Sequence, residues 1–130
     1  MASASSAATD FAQYCCELLA PIGPCVARRM FGGFGISTGG LTLALVADLG
    51  QGLQLWLKAD DVSRAQFEGA GCTRFIYQAA GVAKSMNYYS APDAAMESPD
   101  AMRPWARLAL DSALKARMAS AKSTRVATKK

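Results

Sequence analysis

Four cysteines are the most reactive side chains of this sequence, but their spacing matches no common reactive site. Cys15 and Cys16 are adjacent, Cys25 follows, and Cys72 stands apart, so none forms the Cys-x-x-Cys pair of zinc or thioredoxin-like sites. The chain has 130 residues and no histidine, which excludes Ser-His-Asp and Cys-His catalysis and His-ligated zinc. We therefore expect the thiols to be small buried groups and the protein to be non-enzymatic, without a metal or cofactor.

A glycine-rich stretch follows two adjacent arginines in residues 28–36 (RRMFGGFGI). Gly32, Gly33 and Gly35 interrupt a strand pattern, and their spacing fits neither a dinucleotide fingerprint nor a P-loop. We predict that these glycines are structural, because bare backbone permits a β-bulge or the close approach of another segment such as a helix. A phosphate cradle is the alternative interpretation.

Charged and aromatic residues in the predicted strands provide candidate contact residues. Arg28 and Arg29 start one strand on opposite faces, and Lys58 ends another strand just before Asp60 and Asp61. If these strands are neighbours, we expect an Arg–Asp pair with a structural role. The alternative is a patch that contacts an anion or nucleic acid. The candidate contact residues are Arg28, Arg29, Trp56, Lys58 and Tyr89.

Two consecutive tyrosines, Tyr88 and Tyr89, lie in the last predicted strand. Successive side chains of a strand point to opposite faces, so one tyrosine is expected in the core and the other on the surface. Two ion-pair patterns are also predicted. One joins Arg64 to Glu68 at i,i+4, and the other is a stripe along the last helix at residues 107, 111 and 115.

The charge is unevenly distributed along the chain. Residues 1–102 contain six basic and nine acidic residues, a net charge of −3, whereas residues 103–130 contain eight basic and one acidic, a net charge of +7; together these give +4. The basic segment either keeps the chain end soluble or contacts nucleic acid through a salt-sensitive interaction.

Hydrophobic periodicity predicts a single α+β domain of the order α-β(3)-α-β(2)-α, with a mostly antiparallel five-stranded sheet packed against helices. Asp10 is the predicted cap of the first helix, and Pro104 is the predicted start of the last. Leu41, Leu43, Leu45 and Ala47 alternate in the second strand and are expected on one face.

The domain is predicted to cover residues 10–119, with a disordered tail at 1–9 and a basic disordered tail at 120–130. The predicted strands are 27–37, 41–47, 53–58, 72–78 and 82–90, and the predicted helices are 11–20, 61–68 and 104–119.

Several of these segments resemble the N-terminal domain of the TfoX/Sxy family. They are RRMFGGFGI (28–36), ALVAD (44–48), LWLKADD (55–61) and WARLAL (105–110), together with aromatic residues at 67, 75, 77, 88 and 89. The resemblance covers about residues 10–119 and implies the same order of elements. It also implies a bacterial protein linked to natural competence, in which a family member assists a cyclic-AMP-dependent activator, and it supplies no catalytic residues. The second, helical domain of the full-length regulators is not expected in this chain.

We accordingly expect a cytoplasmic interaction module that acts in transcription through protein–protein contacts. Its expected partners are another protein, such as part of the transcription machinery, or a second copy of the chain in a homodimer. No signal peptide and no apolar run of membrane-spanning length occur in the sequence. Direct nucleic-acid binding through the basic C-terminal segment is one alternative. The other is a small-ligand site in a pocket beside the glycine-rich strand.

Overall fold

The computed structural model describes the backbone of residues 4–30 and 32–128 and the side chains of residues 7–30 and 32–119. Short 3-10 turns at Ala20–Ile22 and Asp93–Glu97 accompany the main elements. The helices are α1 (Ala4–Leu19), α2 (Arg64–Gly69) and α3 (Pro99–Thr128). The strands are β1 (Val26–Met30), β2 (Gly33–Thr38), β3 (Leu41–Asp48), β4 (Leu53–Lys58), β5 (Arg74–Ala79) and β6 (Val82–Ser90).

The described strands form one antiparallel sheet in the order β1-β2-β3-β4-β6-β5. The predicted α+β class is confirmed, but the predicted count of five strands is wrong, because the segment 27–37 divides into β1 and β2. These two strands pair as a hairpin in which Met30 lies opposite Gly33. Gly32 has a φ of +77°, a conformation that costs glycine little and other residues more. The chain therefore reverses at the glycine that periodicity had placed inside a strand.

The first helix begins before its predicted cap. Asp10 lies inside α1, which starts at Ala4, in a run of alanine and serine where alanine favours helix. The helix thus includes most of the tail predicted to be disordered, while residues 1–3 of that tail lie outside the described residues.

The last helix also begins earlier than predicted. The Ser98 hydroxyl accepts a hydrogen bond from the Ala101 amide at 3.1 Å, and Pro99 occupies the first helical position, where its missing N–H costs nothing. Pro104 lies inside α3 and does not end it, so the start predicted at residue 104 is wrong. The helix continues through Thr128, across most of the predicted C-terminal tail, and residues 129–130 lie outside the described part. None of the described helices is both long enough and apolar enough to cross a membrane.

The main hydrophobic core lies between one face of the sheet and the helices α1 and α3. A bulge in β3 directs an extra residue into this core. Ile36 pairs with Ala44, but the next residue, Ser37, pairs with Thr42. Leu43 therefore has no partner in β2. Leu43 and Ala44 are both fully buried in the core, whereas Leu45 packs on the opposite face. The predicted regular alternation along this strand is therefore wrong. The largest core side chains include Leu18, Leu19, Ile36, Leu43, Leu55, Leu57, Phe67, Tyr89 and Met102.

Candidate functional site

The sheet face that points away from the main core carries a second cluster of side chains, and we call it the helix-free face. Trp56, Phe75 and Tyr88 are its buried members, and Leu45, Ala47 and Tyr77 pack against them. Every one of these residues belongs to a strand, so this cluster is built without the helices that cover the other face.

The strand register places Arg28 on the helix-free face. Directly paired residues share a face, and Arg28 pairs with Gly35, Gly35 with Leu45, and Leu45 with Trp56. Three inter-strand steps of about 4.8 Å therefore separate Arg28 from Trp56 across the sheet. Two predicted contact residues lie in one row, although they are distant in the sequence.

The aromatic rings of this face pack edge to face. The centroids of Trp56 and Phe75 lie 5.0 Å apart with an interplanar angle of 79°, and those of Phe75 and Tyr88 lie 6.5 Å apart at 61°. Trp56 Nε1 donates a hydrogen bond to the carbonyl oxygen of Ala47 at 3.3 Å, which satisfies the indole N–H. The exposed fractions of Trp56, Phe75 and Tyr88 are 3%, 7% and 6%, so all three residues are buried in the centre of the cluster.

One cation contacts a ring of this cluster, and two more share its face of the sheet. Lys58 Nζ lies 5.0 Å from the ring centroid of Tyr88, and burial lowers the pKa of Lys58. Lys84 pairs with Tyr77 across the β5–β6 hairpin and so shares its face. Within the described part of the chain, no carboxylate forms an ion pair with Arg28, Lys58 or Lys84.

Two predicted contact residues do not belong to this surface. Tyr89 lies on the helix side of the sheet, stacked on Phe67 with centroids 5.5 Å apart, and is 1% exposed. Arg29 also faces the helices, since its guanidinium is 3.4 Å from Thr9 Oγ1 and 5.2 Å from the ring centroid of Phe34. The expectation that one of the consecutive tyrosines is exposed is wrong, because each face has its own cluster. Tyr88, the preceding residue of β6, belongs to the helix-free face in place of Tyr89.

The predicted ion pairs form with other partners. Strands β1 and β4 are separated by two strands, so they are not the neighbours that the predicted Arg–Asp pair required, and Asp60 Oδ2 binds Lys115 Nζ at 3.1 Å. Arg64 pairs with Asp61 at 3.0 Å and not with Glu68. The stripe predicted on α3 is absent among the described ion pairs, because Lys115 is engaged by Asp60 from another element.

Asn87 connects α2 to the irregular part of β6. Its Oδ1 accepts hydrogen bonds from Arg74 at 2.7 Å and from Arg64 at 3.2 Å. The pairing of β5 with β6 shifts at this point, between Arg74 and Ile76, so the β5–β6 hairpin is anchored where its register changes. These arginines hold the fold and are exposed only in part.

Gly33 and Gly35 lie against neighbouring strands and not against the helix that the sequence analysis allowed for. A Cβ at Gly33 would collide with the carbonyl oxygen of Val46 in β3, and a Cβ at Gly35 would collide with Sδ of Met30. Gly32 has open space around it and serves the hairpin turn. The phosphate-cradle alternative gains no support, because Met30 lies over Gly35 and backbone lies against Gly33.

The cysteines are free thiols in the structure. Cys15 and Cys16 are buried, and Cys25 and Cys72 are half-buried. Burial raises the pKa of Cys15 to about 12 and of Cys25 to about 11, so these thiols are held in the unreactive neutral form. No group of three metal-ligating side chains occurs among the described residues.

An open cleft of about 360 Å³ lies on the other side of the molecule, between α1, the start of β4 and the 3-10 turn at Asp93–Glu97. A second cleft of about 210 Å³ lies between the β3–β4 turn and β5. Neither cleft is lined by Gly32, Gly33 or Gly35, so neither is the pocket expected beside the glycine-rich strand.

Helices on one face of an antiparallel sheet and an aromatic cluster on the other define a small α+β domain. Within that class the sequence profile of the TfoX N-terminal domain matches residues 17–113, about three quarters of the chain. The chain therefore belongs to the TfoX N-terminal domain family. A search of curated proteins finds no matching relative.

Proposed function

We propose that this protein is a non-enzymatic interaction module of transcription regulation that contacts another protein through its helix-free face. The observation that carries the proposal is a sheet face without covering helices, on which cations and partly exposed apolar side chains lie around the buried rings of Trp56, Phe75 and Tyr88. Aromatic residues with a polar and charged rim are typical of protein–protein interfaces. Membership of the TfoX N-terminal domain family, which is associated with competence regulation, supports the transcriptional setting.

Affinity capture with a matched pair of tyrosine variants tests this proposal. Tyr77 packs against the aromatic cluster of the helix-free face, whereas Tyr14 is 40% exposed on α1, on the helix side. Extracts of the source bacterium are passed over the wild-type chain, Tyr77→Ser and Tyr14→Ser, and thermal unfolding first establishes that all three are folded. We expect a transcription protein to be retained by the wild type and by Tyr14→Ser, and to be lost with Tyr77→Ser. Equal retention by all three proteins, or retention of no transcription protein, contradicts the proposal.

A second candidate function is nucleic-acid binding through the basic C-terminal segment. The observation that favours it is that α3 continues as one helix to Thr128, and Ala113 is the last buried residue among the side chains described on it. Residues 103–130 carry a net charge of +7, which would release counterions from phosphates on binding. DNA-binding titrations from about 50 to 200 mM salt test it. Removal of residues 119–130 should flatten the salt dependence, and absence of binding by the intact chain at low salt rules the function out.

A further inference from the structure

We propose that the partner of the helix-free face is an acidic, amphipathic protein segment. Its apolar side chains would pack on Leu45, Tyr77 and the Met30 side chain, and its carboxylates would pair with Arg28, Lys58 and Lys84. The inference rests on the proposed function and adds to it the chemistry of the partner.

The first argument is charge complementarity. Residues 1–102 contain nine acidic and six basic residues, so an average surface of this part of the chain would hold more carboxylates than cations. The helix-free face holds three of the six basic residues of this part, and the described strand register places no carboxylate on it. A face of one charge sign attracts a partner of the opposite charge, so this face attracts an acidic partner and repels a basic one.

The second argument is the spacing of the cations. Arg28 lies in β1 at one edge of the sheet, Lys58 in β4, and Lys84 in β6. Four inter-strand steps separate β1 from β6 in the sheet order, which corresponds to about 19 Å at about 4.8 Å per step. The row of Arg28 and Trp56 reaches β6 at Ser90, and Lys84 lies six residues away along β6, about 20 Å at about 3.3 Å per residue. The diagonal from Arg28 to Lys84 is therefore about 28 Å, a distance that a helix of about 19 residues covers.

The third argument is the apolar floor between the cations. Gly35 lies between Arg28 and Leu45 in the row, and the Met30 side chain lies over it. Met30 is 37% exposed, and a flexible thioether adapts readily to apolar side chains of a partner. Tyr77 adds a half-buried ring on the other side of the cluster.

The ring geometry favours a protein over single-stranded nucleic acid. Bases bind proteins by stacking on exposed ring faces. Trp56, Phe75 and Tyr88 are each less than a tenth exposed and pack edge to face with one another, so their ring faces are already covered.

Two synthetic peptides and an oligonucleotide are the probes for the test. Each peptide has 20 residues, and the two share the same leucine and phenylalanine positions. The remaining positions are glutamate in one and lysine in the other, and the oligonucleotide is a 15-nucleotide oligo(dT). Binding to the full chain is measured by fluorescence anisotropy of labelled probes, and the contacted residues are mapped by amide and indole NMR shifts. We expect the acidic peptide to bind and to shift Trp56 Nε1–H and the amides of β4 and β6.

Charge-reversal variants identify the cations involved. The double variant Arg28→Glu, Lys84→Glu should bind the acidic peptide with an affinity at least about tenfold lower than that of the wild type. The matched control is Arg107→Glu on α3, because Arg107 is exposed and forms none of the described ion pairs; it should change the affinity less than about twofold.

Each other outcome overturns the inference in a distinct way. Equal binding of both peptides would show that charge does not select the partner, and oligo(dT) shifts on the same strands would assign the face to nucleic acid. Sedimentation showing a dimer of the free chain that the double variant abolishes would assign it to a second copy. If no peptide binds while capture of the transcription protein still depends on Tyr77, the proposed function stands and the acidic partner is wrong.

Discussion

Tyr89 and Glu68 are joined by a hydrogen bond of 2.6 Å in which the phenol hydroxyl donates to Oε2 of the carboxylate. The bond ties the C-terminal end of β6 to α2, and Tyr89 is 1% exposed. Burial raises the pKa of Tyr89, and the neighbouring Glu68 carboxylate raises it further. The phenol therefore stays protonated and remains a donor.

Removal of this hydroxyl should weaken the fold. We expect Tyr89→Phe to lower the free energy of unfolding by about 1 kcal/mol, because a buried ring loses a charge-assisted hydrogen bond to an exposed carboxylate. Urea denaturation monitored by circular dichroism measures the change. Tyr88→Phe is the control, since the Tyr88 hydroxyl has no hydrogen-bond partner among the described residues, and its effect should stay below about 0.5 kcal/mol. Equal losses in the two variants would contradict the role of Glu68.

The glycines of β2 should differ in their tolerance of a methyl group. Gly33→Ala should lower the free energy of unfolding by about 2 kcal/mol or more, because its Cβ meets the backbone carbonyl of Val46, which cannot move without disturbing β3. Gly35→Ala should cost less, since a flexible Met30 side chain can turn away. Chemical denaturation of both variants tests the order.

Gly69 supplies the matched control for these two substitutions. It is the last residue of α2, has open space around it and does not have a positive φ. Gly69→Ala should leave stability unchanged or raise it by up to about 1 kcal/mol, because alanine favours helix. A Gly33→Ala protein as stable as Gly69→Ala would refute the close approach at Gly33.

Asp60 should make the fold sensitive to acid. Burial alone would raise its pKa, but hydrogen bonds from the Ser63 amide and the Lys115 ammonium outweigh burial and lower the pKa to about 2. The unfolded carboxyl has a pKa near 3.8, so the stabilisation is present above about pH 4 and is lost as the pH falls toward 2. Unfolding free energies measured from pH 5 to 2 should fall less steeply for Asp60→Asn than for the wild type. Parallel curves would show that Asp60 does not contribute.

Pro104 should be a weak point of α3. It lacks the N–H that would bond to the carbonyl of Asp100, and it is exposed, so no packing depends on its ring. Pro104→Ala should raise the free energy of unfolding by about 1 kcal/mol. Pro99→Ala, at the first helical position, should change it little. A destabilised Pro104→Ala variant would show that the proline contributes more through chain stiffness than it costs in hydrogen bonding.

The elements with strong local signals could be predicted from the sequence. Alternation in LQLWLK correctly placed Leu55 and Leu57 on one face and Trp56 on the other, because the period of a strand depends on its own backbone. The division of residues 27–37 into two strands could not be predicted in this way. The hydrophobic pattern of this segment fits one long strand as well as it fits a hairpin. The pairing of Met30 with Gly33 decides in favour of the hairpin.

The candidate site shows the same limit. Residue types and strand positions predict the contact residues Arg28, Arg29, Trp56, Lys58 and Tyr89. Tyr89 and Arg29, however, face the helices, so the five residues do not share one surface. Which face the helices cover depends on the packing of α1 and α3, and no pattern within β1 or β6 records it.

The amino-acid sequence alone determined that no histidine side chain takes part in any chemistry and that the cysteines do not have the spacing of a metal site. Its periodicity also determined that the strands and helices form an α+β fold. Tertiary structure alone decided that β4 lies beside β6, which brings Trp56 next to Phe75 and Tyr88 and gathers three cations on one side. The physical reason is that hydrogen bonding between distant strands is set by the simultaneous packing of all elements, whereas local periodicity reports only which side chains share a face.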